Sequence, residues 1–169
     1  MDILLVLLRL LHIIAAFAWI ALGFTQALFV GPAVGKSGES GLRFLKALLT
    51  KTSFPMAFPI AAGLTVLAGI LLYFVGNSAS HFSTTGNIVL GIGAVAGLLA
   101  AGHGGAVTGR ATGDMAKALV QYVPDDNSPI SAEGLQALRG CAMKLASHGR
   151  ISLVLMIVAL VGMGAARYL

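Results

Sequence analysis

Hydrophobic residues run along this chain in four long, nearly uncharged stretches, and the segments between them hold most of the charged residues. A stretch of about 20 such residues is long enough to cross the hydrocarbon layer of a bilayer as an α-helix. The pattern therefore predicts an all-α fold, an integral membrane four-helix bundle. We expect a single transmembrane domain over residues 1–169, with spans at about residues 3–30, 54–75, 87–108 and 151–168.

The connections between the spans predict short amphipathic helices. The first span is expected to end near Gly31-Pro32, because proline interrupts a helix. Residues 39–51 place leucines and basic residues at helical spacing, which predicts a helix lying at the membrane surface with its basic side toward the lipid headgroups. Residues 111–123 are weakly amphipathic, and Ser131 is placed to cap a helix that continues through His148 into the fourth span.

Composition and charge strengthen the membrane assignment. Hydrophobic residues make up 57% of the chain and charged residues 10%, and the mean hydropathy is +0.92. The net charge of +5 does not indicate nucleic acid, because the basic residues lie in loops beside apolar spans. Since positive loops stay in the cytoplasm, we expect both termini on the outer side, together with His81 as a solvated loop histidine. The lone Cys141 is predicted to be inert.

One face of the first span carries most of its polar and small side chains. An ionisable residue within a membrane span is energetically costly, so His12 on this face marks a functional site by default. The alternatives are that His12 binds a cofactor or that it only bridges two helices by a hydrogen bond. Helical spacing of three and four residues defines the face as Arg9, His12, Ala16, Trp19, Gly23 and Gln26.

The third span carries a ridge of small residues at a strict four-residue spacing. This pattern lets a second helix, or a flat ligand, approach the backbone closely. We therefore expect other membrane protein subunits to dock on the ridge. Its members are Gly93, Gly97, Ala101, Gly105 and Gly109, and His103 lies beside them among glycines.

The histidines suggest haem b as a cofactor. Counting about 1.5 Å per residue from the span ends puts His12 and Met156 at similar depths. In a first arrangement His12 is one axial ligand, with Met156 or His103 opposite it. Arg9 would then pair with a propionate, and Trp19 would pack beneath the ring.

A second arrangement uses the two deeper histidines. His103 and His148 would face each other from neighbouring helices nearer the cytoplasm, and together they would ligate the haem iron. His148 could instead be a wet surface residue at the membrane interface. The sequence leaves the two arrangements open.

The run from Arg9 to Trp19, the basic loop, the segment from Thr65 to Gly69 and the closing Ala166 to Leu169 carry a resemblance. They resemble small four-span bacterial membrane proteins of the CopD copper-resistance type and, more distantly, HemJ-type protoporphyrinogen oxidases. The resemblance implies a haem-binding or metal-handling histidine in the first span, which corresponds to His12. It also implies a bacterial inner (cytoplasmic) membrane. The membrane-helix lysine of HemJ-type enzymes has no counterpart within the four predicted spans.

Three functions are therefore expected in decreasing order. The first is a haem b-binding membrane protein acting in electron transfer or haem-linked redox chemistry. The second is a cofactor-free accessory subunit of a larger respiratory or photosynthetic membrane complex, and the third is copper or metal-ion handling. The chain has no paired intramembrane carboxylates and no nucleophile with a plausible base, so enzymatic chemistry is not indicated.

Overall fold

The computed structural model describes residues 3–75, 83–126 and 128–169. Five helices of 13 or more residues make up most of this part of the chain, and it contains no strand. The predicted all-α fold is confirmed, whereas His81 lies outside the described residues. The helices are α1 (Ile3–Lys36), α2 (Gly38–Thr50), α3 (Phe54–Val75), α4 (Thr85–Tyr122) and α5 (Ala132–Tyr168, whose last turn is a 3-10 turn).

Four of these helices are long and apolar enough to cross a membrane, but their lengths differ. Helix α3 has 22 residues, or about 33 Å, which matches one bilayer thickness. Helices α1, α4 and α5 have 34, 38 and 37 residues, and each is therefore about 20 Å longer than α3. The prediction that the Ser131-capped helix runs on into the fourth span is confirmed, since Ser131 Oγ accepts a hydrogen bond from Gly134 N at 3.1 Å.

The prediction that α1 ends at Gly31-Pro32 is wrong. Residues Thr25–Val30 form a π-helical turn, in which the Gly31 N–H donates to the Gln26 carbonyl five residues back, and the chain then stays helical to Lys36. Pro32 stands in the first turn after this change of hydrogen-bond pattern, where a missing N–H is tolerated. The helix ends instead at Ser37 and Gly38, and Gly38 has a φ of +57°.

A second hydrophobic core lies beyond the bundle, and we call this region the head. Helix α2, the Gly109–Tyr122 part of α4 and the start of α5 build it. Its centre consists of Leu45, Met115, Leu119, Val123, Ile130 and Leu138, each at most 5% exposed. The expectation that the apolar side of α2 lies on the membrane is therefore wrong. Because α4 and α5 are long enough to project from the bilayer, that side is buried against them.

The basic side of α2 holds a loop instead of facing lipid headgroups. Arg43 donates hydrogen bonds to the carbonyls of Pro124 and Ser128, both at 2.7 Å. Lys46, only 9% exposed, donates to the Val123 carbonyl at 2.6 Å and to Asp125 Oδ1 at 2.8 Å. These charge-assisted bonds satisfy loop carbonyls that have no helical partner.

The membrane part consists of two helix pairs, α1 with α3 and α4 with α5. The pairs join at one apolar cluster, to which all four helices contribute. Only 11–22% of the residues in the most apolar window of each span are buried. The remaining apolar side chains face outward, as they do in a protein solvated by lipid. The joining cluster contains Trp19, Ala61, Ala100, Leu153 and Met156.

The small-residue ridge of α4 is used mainly inside the chain. A Cβ on Gly93 would come within 2.8 Å of Met163 N on α5, and a Cβ on Gly97 would touch Ala159. At Gly105 a Cβ would meet nothing within 4 Å. The half of the ridge around Gly93 and Gly97 is therefore an internal packing surface and is not free for a partner.

Candidate functional site

The intramembrane histidines form two separate groups along the bundle. The first, which we call the His12 site, joins His12 of α1 to the Thr65–Gly69 turn of α3. The second, which we call the His103 cluster, contains His103 and Thr108 of α4 with His148 and Ser152 of α5. The structure therefore does not bring His103 to His12.

The His12 ring is fixed by one hydrogen bond across the helix pair. Its Nδ1 lies 2.8 Å from the backbone carbonyl oxygen of Thr65. Because a carbonyl only accepts, Nδ1 must carry the proton, and Nε2 of the neutral ring keeps its lone pair. Gly69 makes the approach possible, since a Cβ there would lie 3.0 Å from His12 Cε1.

This geometry agrees with both expectations for His12. The side chain bridges α1 and α3, so the hydrogen bond stabilises the helix pair. Donation of one ring N–H to a backbone carbonyl is also how metal-ligating histidines are usually oriented, with the other nitrogen left for the metal. The role of His12 as a cofactor ligand remains a prediction.

The other residues of the first arrangement lie at different places. Arg9 is exposed one turn before His12, whereas Trp19 is buried in the joining cluster. Met156 packs against Gly23, where a Cβ would lie 2.7 Å from Met156 Cε. Gly23 is eleven residues, or about 16 Å, along α1 from His12. Met156 is therefore not brought opposite His12, because close packing with α1 and α4, not distance from the chain end, sets the level of α5.

The His103 cluster is a chain of polar groups between α4 and α5. His103 Nδ1 lies 2.9 Å from Ser152 Oγ, which in turn lies 3.0 Å from Thr108 Oγ1. Residues Gly104–Thr108 form a π-helical turn. In a regular α-helix, positions five apart are rotated by about 140°. The wider π turn therefore allows His103 and Thr108 to meet the same serine.

His148 completes this cluster without a hydrogen bond. Its ring centroid lies 5.6 Å from that of His103, with the ring planes at 57°. Its Nδ1 is buried and has no hydrogen-bond partner among the described residues. Because the rings are in contact, a haem cannot lie between them as the second arrangement requires. The adjoining cleft of about 220 Å³ is also smaller than the roughly 300–1,000 Å³ of typical cofactor sites.

Neither histidine group is a complete metal centre made of protein side chains. Within the described residues, no three His, Cys, Asp or Glu side chains converge closely enough to hold a metal ion. The copper-handling expectation therefore gains no support from this part of the chain.

Comparisons with known proteins find no match, whether against protein-family models, curated proteins or solved structures. The resemblance to CopD-type and HemJ-type proteins therefore stays a prediction, which rests on the residues of the first span and on the four-span pattern.

The sequence interpretation missed two residues of the His103 cluster. Ser152 follows His148 by four residues, so helical spacing alone places both on one face, and this signal was available. Thr108 carried no such signal, because its position beside Ser152 depends on the π turn. Thr65 was noted only as a possible hydrogen-bonding side chain, whereas its backbone carbonyl makes the contact to His12.

Proposed function

We propose that this chain is a membrane-bound haem b protein acting in electron transfer, with Nε2 of His12 as an axial ligand of the haem iron. The observation that supports the proposal is the hydrogen bond from His12 Nδ1 to the Thr65 carbonyl. It fixes the tautomer that a ligand needs and leaves the other ring nitrogen free.

Haem, when bound, supplies the one-electron ferric–ferrous chemistry, and the chain supplies binding and orientation. The Thr65 carbonyl holds the His12 ring at a fixed angle and increases the basicity of Nε2. Arg9, on the same side of α1, supplies a positive charge for a propionate. A glycine at position 69 keeps the ring from being displaced by a side chain of α3.

The test is a dithionite-reduced minus oxidised absorption spectrum of the purified protein, expressed with ample haem. We expect a b-type spectrum in the native protein and in His103→Gln, and its loss in His12→Gln. Glutamine at position 12 can still donate an N–H to the Thr65 carbonyl, so His12→Gln separates ligation from helix bridging. Circular dichroism of the same samples checks that the helices are retained.

Two results contradict the proposal. One is a spectrum that is unchanged in His12→Gln. The other is the absence of haem from the native protein, which would favour the alternative of a cofactor-free accessory subunit. Copurification from native membranes would then identify the parent complex.

A further inference from the structure

A polar cleft opens between α4 and α5 beside the His103 cluster. Its volume is about 220 Å³, and it is lined by side chains from Ala106 to Asp114 of α4 and from Cys141 to His148 of α5. One wall is apolar, formed by Ala106, Val107 and Ala111. The charged lining consists of Arg110, Lys144 and Asp114, so cations outnumber carboxylates.

The level of the cleft can be read from the helices themselves. Helix α3 spans a single bilayer thickness and begins at Phe54, seven residues before Ala61 of the joining cluster. Seven residues correspond to about 10 Å along a helix. The same step from Ala100, the α4 member of that cluster, leads to Val107. The apolar wall therefore lies at the membrane boundary, and Arg110 lies one turn beyond it.

The two cations are placed for a ligand at this boundary. Arg110 and Lys144 are both exposed, they come from different helices, and neither forms a salt bridge in the described part of the chain. A guanidinium and an ammonium that face one cleft beneath an apolar wall match a phosphate attached to a hydrocarbon tail. Basic pockets between membrane helices bind anionic lipid headgroups in this way.

The geometry points to this cleft as a binding site for the phosphate of an anionic glycerophospholipid. Arg110 and Lys144 hold the phosphate, and the wall of Ala106 and Val107 contacts the glycerol end of the acyl chains. Asp114 repels the headgroup and limits affinity. The site is independent of haem binding at His12, which belongs to the other helix pair.

The test is a lipid titration of the detergent-purified full chain, followed by native mass spectrometry. Phosphatidylglycerol and phosphatidylcholine with identical acyl chains are compared, and inorganic phosphate is added as a competitor. The cleft variant is Arg110→Gln with Lys144→Gln. The matched control is Lys117→Gln with Arg139→Gln, which removes the same charge from exposed positions of the same two helices outside the cleft lining.

We expect the native protein to prefer phosphatidylglycerol, and the cleft variant to raise the apparent Kd for this lipid about thirtyfold. The control pair should change it less than twofold, and Asp114→Asn should lower it. Equal effects of the two double variants would overturn the proposal, because they would indicate only general charge attraction. Displacement of the lipid by millimolar phosphate would overturn it in favour of a soluble anion.

Discussion

At the scale of single residues, Lys46 shows how a basic side chain in an amphipathic helix can have a purpose other than contact with lipid. Its ammonium is nearly buried and bonds both the Val123 carbonyl and Asp125. The hydrogen bond and charge of Lys46 hold the pKa of Asp125 below its ordinary value of 3.8. The pair joins residues 79 positions apart, and for that reason no local pattern predicts it.

The lowered pKa of Asp125 predicts a dependence of stability on pH. A carboxyl whose pKa is lower in the folded state stabilises the fold above its unfolded pKa, and this contribution is lost as the pH falls through the folded value. Asp125→Asn should therefore lower the melting temperature at about pH 7, whereas the difference from the native protein should vanish at about pH 2. Thermal unfolding in detergent, followed by circular dichroism at both pH values, measures this difference. A gap of the same size at both values would contradict the account.

At the scale of elements, the long apolar stretches predicted the four spanning helices, because bilayer crossing requires a continuous helix of that length. Their ends were less predictable. Pro32 does not end α1, since a π turn precedes it, and α2 is buried by α4 and α5, which are far away in the sequence. Hydrophobic spacing identifies the side of a helix that is covered, but it does not identify what covers it.

The crossing of α4 and α5 gives a prediction at this scale. A Cβ on Gly162 would lie 2.9 Å from Gly93 Cα, whereas one on Gly164 would meet nothing within 4 Å. Gly162→Leu should therefore force the two helices apart and destabilise the protein by about 2 kcal/mol or more, as overpacking does. Gly164→Leu, two residues away on the same helix, should change stability by less than about 0.5 kcal/mol. Unfolding by a denaturing detergent compares the two variants, and equal losses would contradict the packing.

At the scale of the whole molecule, two cores stabilise the fold in two solvents. The head buries Met115, Leu119 and Leu138 almost completely, as expected where water drives apolar side chains together. The bundle leaves most of its apolar side chains on the surface, because lipid gives no such driving force. Its contacts are instead small residues, the joining cluster and hydrogen bonds such as that of His12.

The candidate site was predictable only in part for the same reason. The sequence identified His12, His103 and His148 because ionisable residues are rare within apolar spans. It did not establish which of them meet, since that depends on how the helix pairs are aligned. The structure places His148 beside His103 and leaves His12 with the Thr65 carbonyl.

The most direct test of haem ligation by His12 is chemical rescue. In His12→Gly the ring is removed, and added imidazole can occupy its place and ligate the iron. We expect the b-type spectrum to be lost in this variant and to return on addition of imidazole, whereas His103→Gly should keep the native spectrum without it. A native spectrum in His12→Gly before imidazole is added would contradict the account.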